Sequence, residues 1–569
     1  MPPSATPPPP GPTTRDPREE EILARPVAPC LTIAYHPDVA RIGDISVLAG
    51  LLRGKDVKVT RTEPQFGRPD ADPDEVPPAP LDDEHVSAGR ALRIKRGADG
   101  GLVLEPAPDL RPEEVEVNGQ PLTGRLALAP DAVEDGCVVM LGRSVVLVLH
   151  HVRLPLLAHE ERGELDEAAR RAFAAVEPLI GWNERMLDLK RKIRAVAVRA
   201  DSVLVQGPTG SGKELVARAI HGASPRHQGP FMSVNMGGLI PGRAMGELFG
   251  WRKGAFAEAH RDTPGYITLA HGGVLFLDEL GLAPVEARGG LLRFLETHEV
   301  WPLGADKCEK SDARLVAATD TDLHVAVRAG SFPRALLERL RQFDLRLPAL
   351  RERRDDIGRL LLHFLKRHLA DKSGTRAGGL PEQLRYRGDG VPLWLPASFV
   401  ARLVRYSWPG NIRQLENLVR QIVVLSAKSK RAQIEDANIE RLLAEDDPAP
   451  AHAPGVPTPP SSVPAIATGK RRLPSAISCD DLVVTLRETK WNISAAARRL
   501  GMSRTSFHKR VHECPQLGTA MELAPAVLEA ARRKHAGDLV AMADELGVAA
   551  YALKLRLTKR DGVDVGADG

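Results

Sequence analysis

No stretch of this 569-residue chain approaches the roughly 18 consecutive apolar residues that a membrane-spanning helix requires. The first residues, MPPSATPPPPGPTTRDPREEE, also lack the apolar segment of a secretion signal. The expectation is a soluble cytoplasmic protein with no membrane partner. Cysteine is scarce and scattered: Cys30, Cys137, Cys308, Cys479 and Cys514 form no CxxC pair and no spacing suited to zinc or a disulfide scaffold, which fits a reducing compartment. Charge of either sign is not in excess, since 78 Lys plus Arg stand against 74 Asp plus Glu, a net +4. The whole-chain field therefore says nothing about nucleic acid, and the local distribution has to decide. The length exceeds what one core can organise, and at about 150 residues per domain it suggests three or four.

Composition divides the chain. Residues 1–27 are Pro-rich and charged, as a disordered tail would be. Between 28 and 155, short β-branched runs (CLTIAYH, ALRIKR, GLVLEP, VEVNG, CVVMLG, SVVLVLHH) alternate with Asp, Gly and Pro turns, the pattern of an antiparallel all-β sandwich. Residues 156–177 read as a helical connector, and 178–350 alternate apolar strands with amphipathic helices, the mark of a parallel α/β domain. Helices continue over 351–445, and 446–469 is a Pro-rich linker. The last region contains a repeat. WNISAAARRLGMSRTSFHKRV and GDLVAMADELGVAAYALKLRL align at an offset of 46 residues, matching Ala495 with Ala541 and Gly501 with Gly547, so 470–515 and 520–560 are expected to be two helix-turn-helix units.

Chemistry concentrates in SVLVQGPTGSGKELVARAIH, where Gly207, Pro208, Thr209, Gly210, Ser211, Gly212, Lys213 and Glu214 join an apolar strand to an amphipathic helix. Glycines let successive backbone N–H groups turn inward on phosphate oxygens, the helix N-terminus adds partial positive charge, and Lys213 reaches the β/γ phosphates. Glu214 occupies the place of the usual Ser or Thr. Sixty-five residues after Lys213, the strand GGVLFLDEL ends in adjacent carboxylates. Asp278 suits the water shell of Mg²⁺ and Glu279 suits orientation of an attacking water, the division of labour that phosphoryl transfer from ATP requires.

The segments GPTGSGKELVARAIH, PFMSVN, ELFGWRKGAF, GGVLFLDEL, RLVAATDTDL, LPALRERRDDI and WPGNIRQLEN resemble, in this order, the AAA+ domain of the sigma-54-dependent transcription activators over about residues 178–425. Glu after the phosphate-loop lysine is that family's own variant. The resemblance implies a P-loop α/β ATPase with a helical lid, assembled in rings, hexamers as a rule, that hydrolyse ATP to remodel the sigma-54 RNA polymerase holoenzyme. It makes Asn235 the switch that holds Glu279, Thr319 and Asp320 the first sensor where the family usually has Thr-Asn, and Arg413 the second sensor. Of the two arginines the family sends into the neighbouring subunit, Arg339 is kept, while Pro333 displaces the other to Arg334. Residues Gly254, Ala255, Phe256, Ala257, Glu258 and Ala259 fall on the loop that contacts sigma-54, usually Gly-Ala-Phe-Thr-Gly-Ala. A hydroxyl is lost at Ala257, and Glu258 puts a side chain where the turn is expected to need a positive φ. The alternative is a diverged ring that binds DNA without engaging sigma-54.

Both ends carry weaker resemblances. Residues 470–514 hold ten Lys/Arg and four Asp/Glu, an excess of six, and the first repeat is similar to a Fis-type helix-turn-helix. That likeness implies major-groove contacts to double-stranded promoter or enhancer DNA from Arg504, Thr505, Ser506, His508 and Lys509. The second repeat lacks polar base-readers, which favours dimerisation or backbone contact. The N-terminal sandwich resembles a forkhead-associated (FHA) domain through Phe66-Gly67-Arg68, the Ser87 loop and Val117-Asn118-Gly119. A phosphothreonine partner would then meet Arg68, Ser87, Arg90 and Asn118. The usual Ser-Arg-x-His is here Ser87-Ala88-Gly89-Arg90, and a purely structural sandwich packed on the ATPase is the competing reading.

Overall fold

The computed structural model describes residues 24–69, most of 76–154, 166–373, 381–384, most of 394–444 and 479–488, with a few single positions beyond. The chain divides into two units, Met1–Ala451 and His452–Gly569. The tail to residue 23, the first part of the connector, the Pro-rich linker and most of both C-terminal repeats lie outside the described residues.

The first unit opens with ten antiparallel strands: β1 (Val27–Tyr35), β2 (Ile45–Val47), β3 (Val57–Val59), β4 (Leu92–Arg96), β5 (Leu102–Pro106), β6 (Val115–Val117), β7 (Gln120–Pro121), β8 (Leu126–Leu128), β9 (Cys137–Leu141) and β10 (Val145–Arg153). They form two sheets, β2-β1-β10-β9-β6-β7 and β3-β4-β5-β8. Leu31, Ile33, Val139, Leu147 and Leu149 of the first sheet meet Ile94, Leu102 and Leu104 of the second in one buried core. The first sheet also buries its other face. Ala34, Tyr35, Val138, Met140, Val146 and Val148 belong to a second core with residues of the lid, which is why β1 and β9 read as unbroken apolar runs.

The ATPase part is a parallel sheet of β11 (Val203–Gln206), β12 (Phe231–Asn235), β13 (Val274–Asp278), β14 (Arg314–Thr319) and β15 (Phe343–Arg346), in the order β12-β13-β14-β11-β15. Helices cover both faces, among them α1 (Glu167–Val176), α2 (Glu184–Ala197), α3 (Lys213–Ala223), α4 (Val285–Thr297) and α5 (Arg334–Leu340). Buried Arg314 satisfies the C-terminal carbonyls of α2, donating to Val196 and Ala197 at 2.7 and 2.9 Å. The lid comprises α6 (Ile357–Ser373), α7 (Ala397–Arg405), α8 (Asn411–Leu425) and α9 (Ala437–Ala444).

Sandwich and lid touch without a gap. A Cβ added at Gly358, in the first turn of α6, would fall on the backbone oxygen of Ala34 in β1. Tyr35 Oη donates to the Leu395 carbonyl at 2.5 Å, Arg354 to that of Gly136 at 3.2 Å, and Arg405 to that of Asn118 at 2.8 Å. Beneath α6 lie Asp355 and Asp356. Asp356 accepts the backbone N–H groups of Trp182 and Asn183, and Asp355 accepts the Asn183 amide. Burial pushes both carboxyls up to about 6, even with Arg353 beside them.

In the second unit, α10 (Cys479–Glu488) buries Leu482 and Leu486. Cys479 is disulfide-bonded, against the expectation of five isolated thiols; Cys30, Cys137 and Cys308 are free. Among the described residues no helix is long and apolar enough to cross a membrane.

The contact at Gly358 generates a prediction. Gly358→Val must push α6 off β1 and is expected to destabilise the first unit by about 1–3 kcal/mol, read as a lowered denaturation midpoint. An unchanged midpoint would mean that sandwich and lid are not pressed together there.

Candidate functional site

The phosphate loop leaves β11 and turns into α3 through Gly210 (φ 74) and Gly212 (φ 102), both in the left-handed region where a side chain would be strained. The Lys213 ammonium donates to the carbonyls of Gly207 and Pro208 at 3.0 and 3.3 Å. Ser211 Oγ is buried and has no hydrogen-bond partner. A buried hydroxyl left unsatisfied is costly, and a bound phosphate oxygen would relieve it. Loop backbone, orphan hydroxyl, ammonium and helix N-terminus thus fit a nucleoside phosphate. Glu214 turns away to Arg218, at 2.7 Å on the exposed face of α3.

The sheet order supplies the other groups. β14 lies beside β11 and β13 beside β14, so Thr319-Asp320 at the end of one and Asp278 and Glu279 at the end of the other open onto the same loop. Burial holds the Lys213 ammonium below its ordinary range, opposed by Asp320, Asp278 and Glu279 and reinforced by Arg413. Thr209 Oγ1 donates to the Asp320 carboxylate at 2.6 Å, which helps to keep that carboxyl below its usual range. Glu279 sits at φ 53 with its N–H on Asp278 Oδ1 at 2.9 Å, an unusual backbone for a non-glycine residue and the kind of strain found at functional sites. Asn235 is paired in register with Asp278 across β12 and β13. Its side chain does not hold Glu279. It accepts the N–H groups of Gly237 and Gly238 at 2.9 and 3.1 Å, while the Glu279 carboxylate lies over Gly237.

The lid closes the loop from above. Asn411 Nδ2 donates to the Thr209 carbonyl at 2.9 Å, Asn411 Oδ1 accepts the Leu350 N–H at 2.8 Å, and the Arg413 N–H reaches Gly210 at 3.3 Å. This role of Asn411 was missed in the sequence, although its place after Trp408-Pro409-Gly410, at the start of a helix, marks a sharp entry. The exposed Arg413 side chain contributes to the field at Lys213. Arg339 is also exposed, 3.6 Å from Glu296, on the outer surface of α5. Pro333 is the N-cap of α5, with φ −68, and starts the helix without strain.

Residues 250–264 form a hairpin-based loop, with Gly250–Trp251 paired to Thr263–Pro264. At its tip the Ala259 N–H donates to the Phe256 carbonyl at 2.9 Å and the Gly254 N–H to the Ala259 carbonyl at 2.8 Å. The expectation of a positive φ at Glu258 is wrong: Gly254 takes it, at 84°, and Glu258 is not among the residues of positive φ. The Phe256–Ala259 turn accepts a side chain at its second central position. Glu258 reaches Arg243 at 3.3 Å across exposed surface. Phe256 is 43% exposed with its ring against Trp251, and Ala259 is buried.

The four sandwich residues expected at a phosphothreonine are engaged elsewhere. Arg68 donates to the Ala40 carbonyl and lies 3.8 Å from Asp44. Arg90 pairs with Glu114 at 3.0 Å, and its N–H donates to Ser87 Oγ. Asn118 Oδ1 accepts the Val138 N–H at 2.9 Å, and its carbonyl is held by Arg405. Arg504, Thr505, Ser506, His508 and Lys509 lie outside the described residues.

Three family models match the chain: a sigma-54 interaction domain over residues 179–346, an AAA+ ATPase lid domain over 351–453, and a bacterial regulatory protein of the Fis family over 478–513. The DNA-binding transcriptional regulator NtrC of Azospirillum brasilense is 34% identical over 375 residues, 63% of this chain and 72% of that protein. The transcriptional regulatory protein GlrR of Escherichia coli (strain K12) is 35% identical over 348 residues, 60% of this chain and 68% of that one. A solved structure of NtrX from Brucella abortus in complex with ATP is 28% identical and covers 61% of this chain and 71% of its own, with a TM-score of 0.39.

Proposed function

This chain belongs to the sigma-54-dependent transcription activators, and from that membership we propose how its own residues divide the work. The family couples ATP hydrolysis in its AAA+ domain to sigma-54 RNA polymerase and binds DNA through the Fis-type segment. What carries the residue assignment is the geometry at one end of the sheet, where Asp278, Glu279 and Asp320 open onto the loop of Lys213, Thr209 of that loop is bonded to Asp320, and the Arg413 N–H reaches Gly210 from the lid. When ATP binds, Lys213 exchanges the Gly207 and Pro208 carbonyls for the β/γ phosphates, and residues 207–214 hold the phosphate chain. Asp278 would hold Mg²⁺, which when bound supplies neutralising charge at the phosphates. Glu279, held at a strained backbone angle beside Gly237, orients and polarises water. Asn235 fixes the turn against which that carboxylate rests and so senses its position. Thr319 and Asp320 report on the phosphate from the sheet, and Arg413 from the lid. Arg339 is free of deep burial and available to the site of a neighbouring copy in a ring, taken as a hexamer.

The loop at 254–259 is the proposed sigma-54 contact. The exposed Phe256 ring and the intact turn support it, and they disfavour the alternative of a ring that no longer engages sigma-54. Glu258 keeps that alternative testable, because its carboxylate must be desolvated or re-paired at the contact. Arg504, Thr505, Ser506, His508 and Lys509 are proposed to read double-stranded promoter or enhancer DNA, in the cytoplasm. For the N-terminal sandwich the packing favours a brace for the lid. Control by a phosphothreonine protein through an FHA-like edge would require the phosphate to draw Arg68 and Arg90 from Asp44 and Glu114.

Three outcomes are expected. Glu279→Gln should bind ATP and hydrolyse it at least about a hundredfold more slowly, whereas Lys213→Ala should lose binding; normal turnover in Glu279→Gln would remove its catalytic role. Replacing Arg504 and Lys509 together with Ala should abolish sequence-specific retention of a promoter fragment at moderate salt while sparing ATPase activity, and a surviving footprint would transfer base reading to the second repeat. Ala257→Thr with Glu258→Gly should retain more sigma-54 than the natural loop under an ATP transition-state analogue. Equal retention would show that Glu258 is tolerated.

A further inference from the structure

Asp320 stands where a neutral amide is usual in the resembled family, and its surroundings give the change a consequence. Its carboxylate accepts a hydrogen bond from the hydroxyl of Thr209, a residue of the phosphate loop, at 2.6 Å, and another from Thr321 Oγ1 at 3.4 Å on its other oxygen. It heads the carboxylates acting on Lys213, ahead of Asp278 and Glu279. The strand carrying it, β14, lies between β13 and β11 in the sheet, so Asp320 opens between the phosphate loop and the Asp278-Glu279 pair. That is the place of the terminal phosphate if Lys213 reaches the β/γ phosphates. Three carboxylates thus contribute to the field at one ammonium. An ionised carboxylate only accepts hydrogen bonds, so it cannot donate to a phosphate oxygen as an amide does, and it repels the added charge of a γ-phosphate.

We propose that Asp320 is a nucleotide-discriminating residue that disfavours the triphosphate relative to the diphosphate. Without a γ-phosphate, Asp320 holds Thr209 and so keeps the phosphate loop tied to the sheet. A γ-phosphate in the same space meets like charge and competes for Lys213, whereas a diphosphate ends short of it. The inference rests on the nucleotide-site reading above and adds the direction of its selectivity. Asp320 is exposed, so its replacement is not expected to disturb the core.

The test is equilibrium binding of a non-hydrolysable ATP analogue and of ADP at one fixed Mg²⁺ concentration, on the full chain and its variants. Asp320→Asn should tighten the ATP analogue by about tenfold and change ADP by less than about twofold. Asp320→Ala should move the ratio in the same direction by less, since it removes the charge without supplying a donor. An unchanged ratio in both Asp320 variants, or equal tightening of both nucleotides, overturns the proposal. Undiminished binding in Lys213→Ala would instead overturn the placing of the nucleotide.

Discussion

The side chain of Asn411 donates to Thr209 and accepts from Leu350, so the phosphate loop, the chain leaving the sheet and the lid share one set of buried hydrogen bonds. Its backbone is held at φ 52, a conformation that Asn tolerates better than most residues. Removing the amide would strand a carbonyl and an N–H in a closed environment, at about 1–3 kcal/mol each. Close packing reinforces the tie: a Cβ on Gly210 would strike the Gly410 carbonyl. The lid cannot tilt without changing what the phosphate loop sees, and the sandwich, pressed on α6 and bonded to α7, cannot stay docked without following the lid. Sandwich and phosphate loop are therefore joined through the lid.

The catalytic end of the sheet was legible in the sequence because its chemistry is local. Glycines at the phosphate loop and carboxylates at a strand end lie within a few residues of one another, and a parallel sheet brings such strand ends together. The union of sandwich and lid was not legible in the same way. It joins residues more than 200 positions apart, such as Gly136 with Arg354, by bonds to backbone carbonyls, which no side-chain pattern announces. One signal did exist. CLTIAY and CVVML are apolar without alternation, and a strand buried on both faces needs a second partner beyond its opposite sheet. The FHA-type residues illustrate the reverse case: their order along the chain fits, while Arg68 and Arg90 pair with different carboxylates, which order cannot reveal.

Asn235 shows a finer limit. Register with Asp278 places it beside the catalytic pair, as the resemblance implies, yet its carbonyl oxygen is occupied by Gly237 and Gly238. The Glu279 backbone is held at φ 53, and its carboxylate lies beside Gly237. A nucleotide-dependent exchange would have to break two N–H bonds at Asn235 before the amide could turn, so the turn at Gly237 is part of the switch.

The departures from the resembled family fall in one physical class. Asp320, Glu258 and Pro333 are exposed, and each occupies backbone that its side chain can adopt: Glu258 avoids positive φ, and Pro333 caps α5 at φ −68. Positions where the backbone itself is demanding, Gly212, Gly254 and Glu279, keep the residues expected there. The fold thus retains the geometry that cradles phosphate and turns the loop, while the charges displayed from that geometry have changed. Two of the three changes add a carboxylate to a place that must approach another molecule. On the proposed roles both would act through charge, so salt and Mg²⁺ are expected to modulate this activator more strongly than a relative with neutral residues at those positions.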